Sequence, residues 1–342
     1  MKDIWTMKYR PSKLDGIVGN EESIDMMRKL IFSKNLPHLV LYGPENTGKS
    51  SSAFAMANEI YGEEYQSNFT YFNASDFFEQ GKRYIVRDKR FTRIIGTDDP
   101  AKINKSVISI FKEVINEYAS MGPLDADFKI IFIDNAESFN SDAQHALRRI
   151  MEKYTATCRF ILSTTQPSKL IAPLRSRGLQ LFFTHVSDDK LSRFIRYVAD
   201  AEGLALTEDG VDAIGYHAKG NIAKALHTLQ LASVKTKGET IGAQEIYDST
   251  LLERSENITH LFDAATSKDI LAARKAIDSL ILEDGMSGQE ILLQLHQIAI
   301  SSNENNNTIA EWVIKMADAD LYMTEAANER IQLESLVARF CE

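Results

Sequence analysis

The 342-residue chain has only two cysteines, Cys158 and Cys341, and only seven prolines. Two thiols cannot make a disulfide framework, and neither stands in the Cys-x-x-Cys spacing that holds zinc. The 7 histidines show no ligand spacing either, and His38 at the start of a strand reads as a packing or backbone-bonded residue. No run of about 18 apolar residues occurs, so no membrane-spanning helix is expected. The opening Met1-Lys2-Asp3-Ile4-Trp5-Thr6 lacks the apolar stretch and cleavage site of a signal peptide, and a reducing, cytoplasmic setting is expected. Positive charge is also scarce: 39 Lys and Arg against 48 Asp and Glu leave a net charge of −9. Contact with nucleic acid would therefore have to come from a local cluster of Lys and Arg, because phosphate attraction needs local positive charge.

What is present is enough apolar residue, 44%, for more than one core, and a length that fits two or three domains. Strand-like runs at His38–Tyr42, Phe69–Asn73, Ile130–Ile133, Arg159–Ser163 and Leu179–Phe183 alternate with helix-period stretches over 21–32, 49–60, 106–118 and 142–154. That alternation predicts a parallel sheet with helices on both faces. Ser141 with Gln144 three residues on reads as a capping box, and Met26 with Met27 as core. After residue 184 the strand signals stop. Helices are expected over 187–201, 208–218 and 222–234, then a turn-rich piece over 235–240. From 243 the pattern is helical, broken by the polar tract Ser301–Thr308, which reads as an exposed loop. The expected domains are an α/β domain over 1–184, a small helical domain over 185–236 and an all-helical domain over 241–342.

Gly43-Pro44-Glu45-Asn46-Thr47-Gly48-Lys49-Ser50 satisfies GxxxxGK[ST] after a strand and before a helix, the context that motif needs. Backbone N–H groups at a helix N-terminus favour phosphate, so ATP is expected here, with Lys49 on the β- and γ-phosphates and Ser50 on Mg²⁺. Asn46 can take a left-handed conformation in place of glycine, while Glu45 adds a negative charge nearby. Asp134, ending the apolar run Ile130–Ile133, is the expected second Mg²⁺ group. ATP-hydrolysing sites of this kind carry Glu next, to deprotonate the attacking water. Here the residue is Asn135, which can hold a water but cannot take its proton, and losing a general base costs about 10²–10⁴ in rate. Glu137 is expected to be too far along to act on that water. Nucleotide binding without efficient hydrolysis follows.

Several stretches together resemble the small subunits of replication factor C, the sliding-clamp loader. Trp5 with Lys8-Tyr9-Arg10-Pro11 and Ile17-Val18-Gly19-Asn20 resembles the family's adenine-side segment, which puts Arg10 and Val18 at the nucleotide. Asn73-Ala74-Ser75-Asp76, Asp142-Ala143-Gln144 with Ala146-Leu147-Arg148-Arg149 and Met151-Glu152, and Pro173-Leu174-Arg175-Ser176-Arg177 are similar to further family motifs. The match is good from 5 to about 235; the last hundred residues resemble the family only in being helical. The resemblance implies a P-loop AAA+ domain, a helical lid and a helical collar for oligomerisation. It also implies other loader subunits in a heteropentameric ring, a sliding clamp contacted by the first domain, primed DNA and, from the look of the motifs, an archaeal cytoplasm.

The departures matter as much. The sensor 1 position, usually Asn, is Thr165, and the sensor 2 arginine is replaced by Ala223. Asn135, Thr165 and Ala223 all weaken the chain's own hydrolytic site. Arg177 is kept, and in the family this arginine acts as a finger in the neighbour's site, worth about 10³–10⁵ in rate; the plainer alternative is an ion pair with a surface carboxylate. Lys82, Arg83, Arg87, Lys89, Arg90 and Arg93 form a basic run where the family faces DNA, or equally a solvated helix face. The stretch 77–105 is longer than the usual family loop. Two other functions fit the phosphate loop: a self-sufficient AAA+ DNA-remodelling motor, such as a branch-migration helicase, and a nucleotide-free assembly scaffold.

Overall fold

Ile130, Ile131, Phe132 and Ile133 are all fully buried, as a strand covered on both faces requires. In the computed structural model, which describes residues 4–62, 65–88, 91, 95–97, 99–236, 240–251, 256–302, 304–325 and 328–340, they form the middle of β3 (Lys129–Asp134). The other strands are β1 (His38–Tyr42), β2 (Phe69–Asn73), β4 (Cys158–Thr164) and β5 (Gly178–Phe182). All pairs are parallel, in the order β2-β3-β4-β1-β5. The register sets Asn73 beside Asp134 and Tyr42 beside Thr164, so the C-terminal ends of four strands form one edge.

Side chains alternate cleanly across this sheet. Ile130, Phe132, Ile161, Leu39 and Leu41 join one core with α2 (Glu21–Phe32) and α3 (Lys49–Tyr61), following the short α1 (Trp5–Lys8). Ile131, Ile133, Phe160, Leu162 and Val40 join the other. That second core is covered by α4 (Ala74–Glu79), α5 (Lys82–Arg87), α6 (Val107–Ser120), α7 (Ser141–Lys153) and α8 (Ala172–Arg175). Of the methionine pair on α2, Met27 is fully buried but Met26 is 40% exposed, so only one of the two belongs to the core. Three helices complete this unit: α9 (Asp188–Glu202), α10 (Glu208–Ala218) and α11 (Ile222–Thr236).

A further expectation needs correction. The cap of α7 is Asn140, whose Oδ1 accepts from the Ala143 N–H at 2.9 Å, and Ser141 is already the first helical residue. Asn caps as well as Ser, and Gln144 is engaged elsewhere. The long stretch 77–105, for which the sequence offered no role, packs into the second core through several of its described residues. In it Ile85 and Phe91 are fully buried and Ile103 is 4% exposed, and the Phe91 ring stacks on Phe72 at 5.8 Å and meets Phe77 edge-on at 5.5 Å.

The described residues divide into two compact units, Met1–Ala243 and Gln244–Glu342. The second is helical: α12 (Ala243–Leu251), α13 (Glu256–Thr266), α14 (Ile270–Leu282), α15 (Gly288–Ser301), α16 (Asn306–Glu325) and α17 (Glu329–Phe340). Ile277, Leu280, Ile291, Leu295, Leu333 and Leu336 lie in its core. The polar tract is shorter than expected, since α16 already begins at Asn306. Among the described residues no helix is long and apolar enough to cross a membrane.

If 77–105 is part of the sheet's second core, Phe91→Ala should cost about 3–5 kcal/mol, as for other buried phenylalanines. Denaturant unfolding of the two proteins measures this; a difference within about 0.5 kcal/mol, typical of an exposed site, would put Phe91 outside the core.

Candidate nucleotide site

The chain leaves β1 at Tyr42 and turns at Gly43, where φ is +146° and a Cβ would stand 2.0 Å from the Phe183 carbonyl oxygen. Only glycine fits there. Asn46 takes the left-handed conformation expected of it, with φ +55°. Thr47 is fully buried and its hydroxyl donates to the Pro44 carbonyl at 2.9 Å, closing the loop on itself. Asn20 staples the loop to the end of the sheet, its side-chain N–H groups reaching Thr47 O and Thr184 O, both at 3.1 Å. The Lys49 ammonium, 6% exposed, donates to Gly43 O at 2.8 Å and Pro44 O at 2.5 Å. Burial lowers its pKa, partly opposed by the carboxylates of Asp134, Glu137 and Glu45. A buried cation over a ring of backbone N–H groups is a donor set suited to a polyphosphate.

Opposite the loop, the Ser50 hydroxyl donates to Asp134 Oδ2 at 2.6 Å. These are the hydroxyl and carboxylate that a hard cation such as Mg²⁺ would draw on. The next residue, Asn135, has φ +52°. Its backbone N–H bonds Asp134 Oδ1 at 3.1 Å, and its side-chain N–H donates to Asn73 Oδ1, also at 3.1 Å. Asn73 Oδ1 in turn accepts from the Ser75 N–H and caps α4. The amide at 135 is thus committed to the neighbouring strand.

Glu137 stands on the single turn Ala136–Ser138 and bonds Thr165. Its Oε1 accepts from the Thr165 hydroxyl at 2.6 Å and the Thr165 N–H at 3.1 Å, while Oε2 is buried without a hydrogen bond. Burial works to raise the pKa of this carboxyl. The hydrogen bonds from Thr165 and nearby groups outweigh it, and the group stays below its usual value. This pair was not foreseen from sequence, because it depends on the β3–β4 register.

A cleft of about 330 Å³ opens beside the loop, walled by Val18, Met7, Phe194, Ile222, Ala223 and Leu226. Arg10 also lines it, with its guanidinium 4.3 Å from the centre of the Phe54 ring. The segment carrying Arg10 is tied down by Tyr9 OH and Lys8 Nζ, each donating to Glu202 at 2.6 Å, and by the Trp5 N–H on Gln230 at 3.1 Å. At Ala223 the wall has no charge of its own.

Residues 253–339 match the family model of the replication factor C C-terminal domain, and residues 39–185 that of the ATPase family associated with various cellular activities (AAA). The chain is 36% identical over 350 residues to a replication factor C small subunit of Methanosarcina barkeri, covering 99% of this chain and 96% of that one. A replication factor C small subunit of Archaeoglobus fulgidus is 36% identical over 337 residues, covering 98% and 96%. The chain belongs to the family of replication factor C small subunits. Among solved structures, a point variant of Thermotoga maritima RuvB superposes with a TM-score of 0.53 at 17% identity, over 84% of this chain and 85% of that one. That likeness shows a shared fold alone. The AAA match implies that the loop at 43–50 belongs to a nucleotide-binding domain, and the C-terminal-domain match covers the region in which the sequence pattern showed only helices.

In this replication factor C family member, Arg177 lies outside the cleft. Its Nη2 is in contact with the Glu152 carboxylate, the ion pair considered as the plainer reading of this residue. The segment leading to it is clamped by Gln144, whose Nε2 donates to Phe139 O at 3.0 Å and Lys169 O at 2.9 Å and whose Oε1 accepts from the Ile171 N–H at 2.7 Å. Gly178 follows because a Cβ there would come within 2.8 Å of Val40 Cγ2. Of the basic run, Arg83 and Arg87 are exposed one turn apart on α5. Lys82 is drawn inward, its Nζ donating to Ile103 O at 2.7 Å. Lys89, Arg90 and Arg93 lie outside the described residues.

His38 is the bonded residue expected: its Nδ1 accepts from the Phe160 N–H at 3.0 Å. Burial, helped by the charges of Arg159 and Arg177, pushes its pKa down to about 4. Above pH 6.5 the ring is neutral folded or unfolded. Between 6.5 and 4 only the unfolded chain takes up the proton, so stability falls as pH falls, by up to about 3 kcal/mol from this group. His38→Gln, whose amide oxygen can still accept from Phe160, should flatten that part of the pH–stability curve in denaturant unfolding. An unchanged slope would remove His38 from the account.

Proposed function

We propose that the chain is a clamp-loader subunit that binds ATP and primed DNA in a heteropentameric ring with related subunits and helps load a sliding clamp. On this reading its own site hydrolyses weakly, and Arg177 is donated to a neighbouring site. The observation that carries it is the pairing of a well-formed phosphate loop, with Ser50 on Asp134, and an amide at 135 already bonded to Asn73. Family membership supplies the loader, clamp, DNA and ring; the local chemistry supplies the division of labour.

ATP would lie with its phosphates on the loop N–H groups and Lys49, and its base in the cleft beside Val18 and Arg10. Mg²⁺, held by Ser50 and Asp134, would neutralise charge on the phosphates. Lys49 gives up its bonds to Gly43 O and Pro44 O for phosphate oxygens, recovering by charge what burial costs it. Asn135 can orient a water but cannot accept its proton, and Ala223 offers no cation to the phosphates. Residues 185–236 act as the lid and 241–342 as the collar that joins subunits. Arg83 and Arg87, with the run to Arg93, contact DNA phosphates without reading sequence, while Lys82 is turned to the Ile103 carbonyl. The cytoplasm is the proposed location.

A self-sufficient motor is disfavoured by the same amide, since the RuvB likeness concerns the fold only. An empty scaffold is disfavoured by the loop geometry. In the reconstituted loader with clamp and primed DNA, Arg177→Ala should lower ATP turnover at the neighbouring site by 10³-fold or more. Lys49→Ala should leave the loader's total turnover within about twofold, because the site it disables contributes little. Asn135→Glu should raise turnover of the isolated chain by at least about tenfold, as a restored general base would. Brisk turnover by the isolated unmodified chain, or loss of loader activity from Lys49→Ala alone, overturns the division of labour. Denatured protein that releases no nucleotide after saturation and gel filtration would favour the scaffold.

A further inference from the structure

We infer that Glu152 is a positioning residue for Arg177, fixing the guanidinium in the pose from which it acts on a neighbouring site; this rests on the donated-arginine reading above. Glu152 is at the C-terminal end of α7. Arg148, one turn earlier, donates from Nε to Glu152 Oε1 at 3.1 Å and so holds the carboxylate's rotamer. Arg177 Nη2 lies against the same Oε1. The Arg177 side chain is 30% exposed, and its Nε is buried with no hydrogen-bond partner.

A guanidinium has five N–H donors in a rigid plane. Here Nη2 is anchored on Glu152 and Nε is buried, while the side chain as a whole stays 30% exposed, open enough to meet a group from another subunit. An arginine that must meet developing negative charge in another subunit gains if its rotamer is set beforehand, because four side-chain torsions need not then be frozen during the reaction. The backbone is set too: Gln144 fixes residues 169–171, and the Arg177 N–H bonds Leu174 O at 3.2 Å. Glu152 is therefore the last part of a support that runs from α7 through its carboxylate to the arginine. A partly exposed ion pair adds little to stability, so its effect should be seen in rate and not in folding.

The test uses the full reconstituted loader with clamp and primed DNA, comparing Arg177→Ala, Glu152→Ala, Glu152→Gln and Arg177→Ala/Glu152→Ala. Thermal melts and gel filtration establish that each variant folds and assembles. The expected result is that Glu152→Ala lowers kcat about tenfold with KM for ATP within twofold, the size of a lost pre-set long side chain. Glu152→Gln, which keeps an acceptor oxygen in the same place, should recover most of that loss. The double variant should be no slower than Arg177→Ala alone. If Arg177→Ala is deleterious while Glu152→Ala leaves kcat unchanged, raises it, or adds a further loss to the double variant, Glu152 does not position the arginine. If Arg177→Ala itself has no effect, the donated-arginine reading fails first and takes this inference with it.

Discussion

The hydrogen bond from Ser50 to Asp134 joins residues 84 apart in sequence, and everything proposed for this chain depends on the geometry that makes it possible. Ser50 stands in the first turn of a helix that starts where β1 ends; Asp134 is the last residue of β3. The two strands are not neighbours, since β4 runs between them. Their ends come level because both pair with β4 in parallel register, Leu162 facing Val40 on one side and Ile133 on the other. A slip of one residue would reverse every side chain on β3 and bury Asp134 in a core instead. The two apolar cores, which meet at the sheet, are thus what hold the polar pair in place.

The same alignment explains why the residues around 135 behave as a unit. Asn73, Asp134 and Thr164 end three adjacent strands, and the residues at and just beyond these ends are linked by hydrogen bonds. Asn73 Oδ1 accepts from the side-chain amide of Asn135, and the Glu137 carboxylate accepts from Thr165. The Glu137 carboxylate is therefore spent on the segment leaving β4. In a half-buried setting that arrangement is stable because Glu137 accepts two hydrogen bonds from one residue, enough to keep it ionised despite its burial.

How much of this was legible in advance follows from the range of each interaction. The phosphate loop is a local motif, so Gly43, Asn46 and Lys49 could be read from eight consecutive residues, down to the backbone conformation of Asn46. The strands were legible because their apolar runs alternate with helix-period stretches, and their observed ends differ from expectation by a residue or so. The cap at Asn140 was missed because Asn and Ser are adjacent and cap equally well; only the side-chain bonds decide. The packing of 77–105 had a signal that went unused, namely Phe77, Phe78, Tyr84 and Phe91 within fifteen residues, too many aromatics for a solvated loop. The Glu137–Thr165 and Arg177–Glu152 contacts carried no local signal at all. Each links residues about 25 apart through the sheet's register.

In the proposed function, weak hydrolysis and a donated arginine draw on different ends of the sheet, so one could change without the other. Ala223 lines the cleft, and so does Asp134; Asn135 follows Asp134, with its amide bonded to Asn73. Arg177 is at the other end of β1 from the loop, just before Gly178 pairs beside His38, and its carboxylate partner is Glu152 on α7. Substitutions at 135, 165 or 223 therefore leave the support of Arg177 untouched. The loop must still fold around Lys49, because Gly43 packs on Phe183 at the end of β5, the strand that leads away from Arg177. The close approach of Gly43 to Phe183 thus ties the phosphate loop to the strand that starts beside Arg177, so the loop matters to the packing of that strand as well as to a nucleotide.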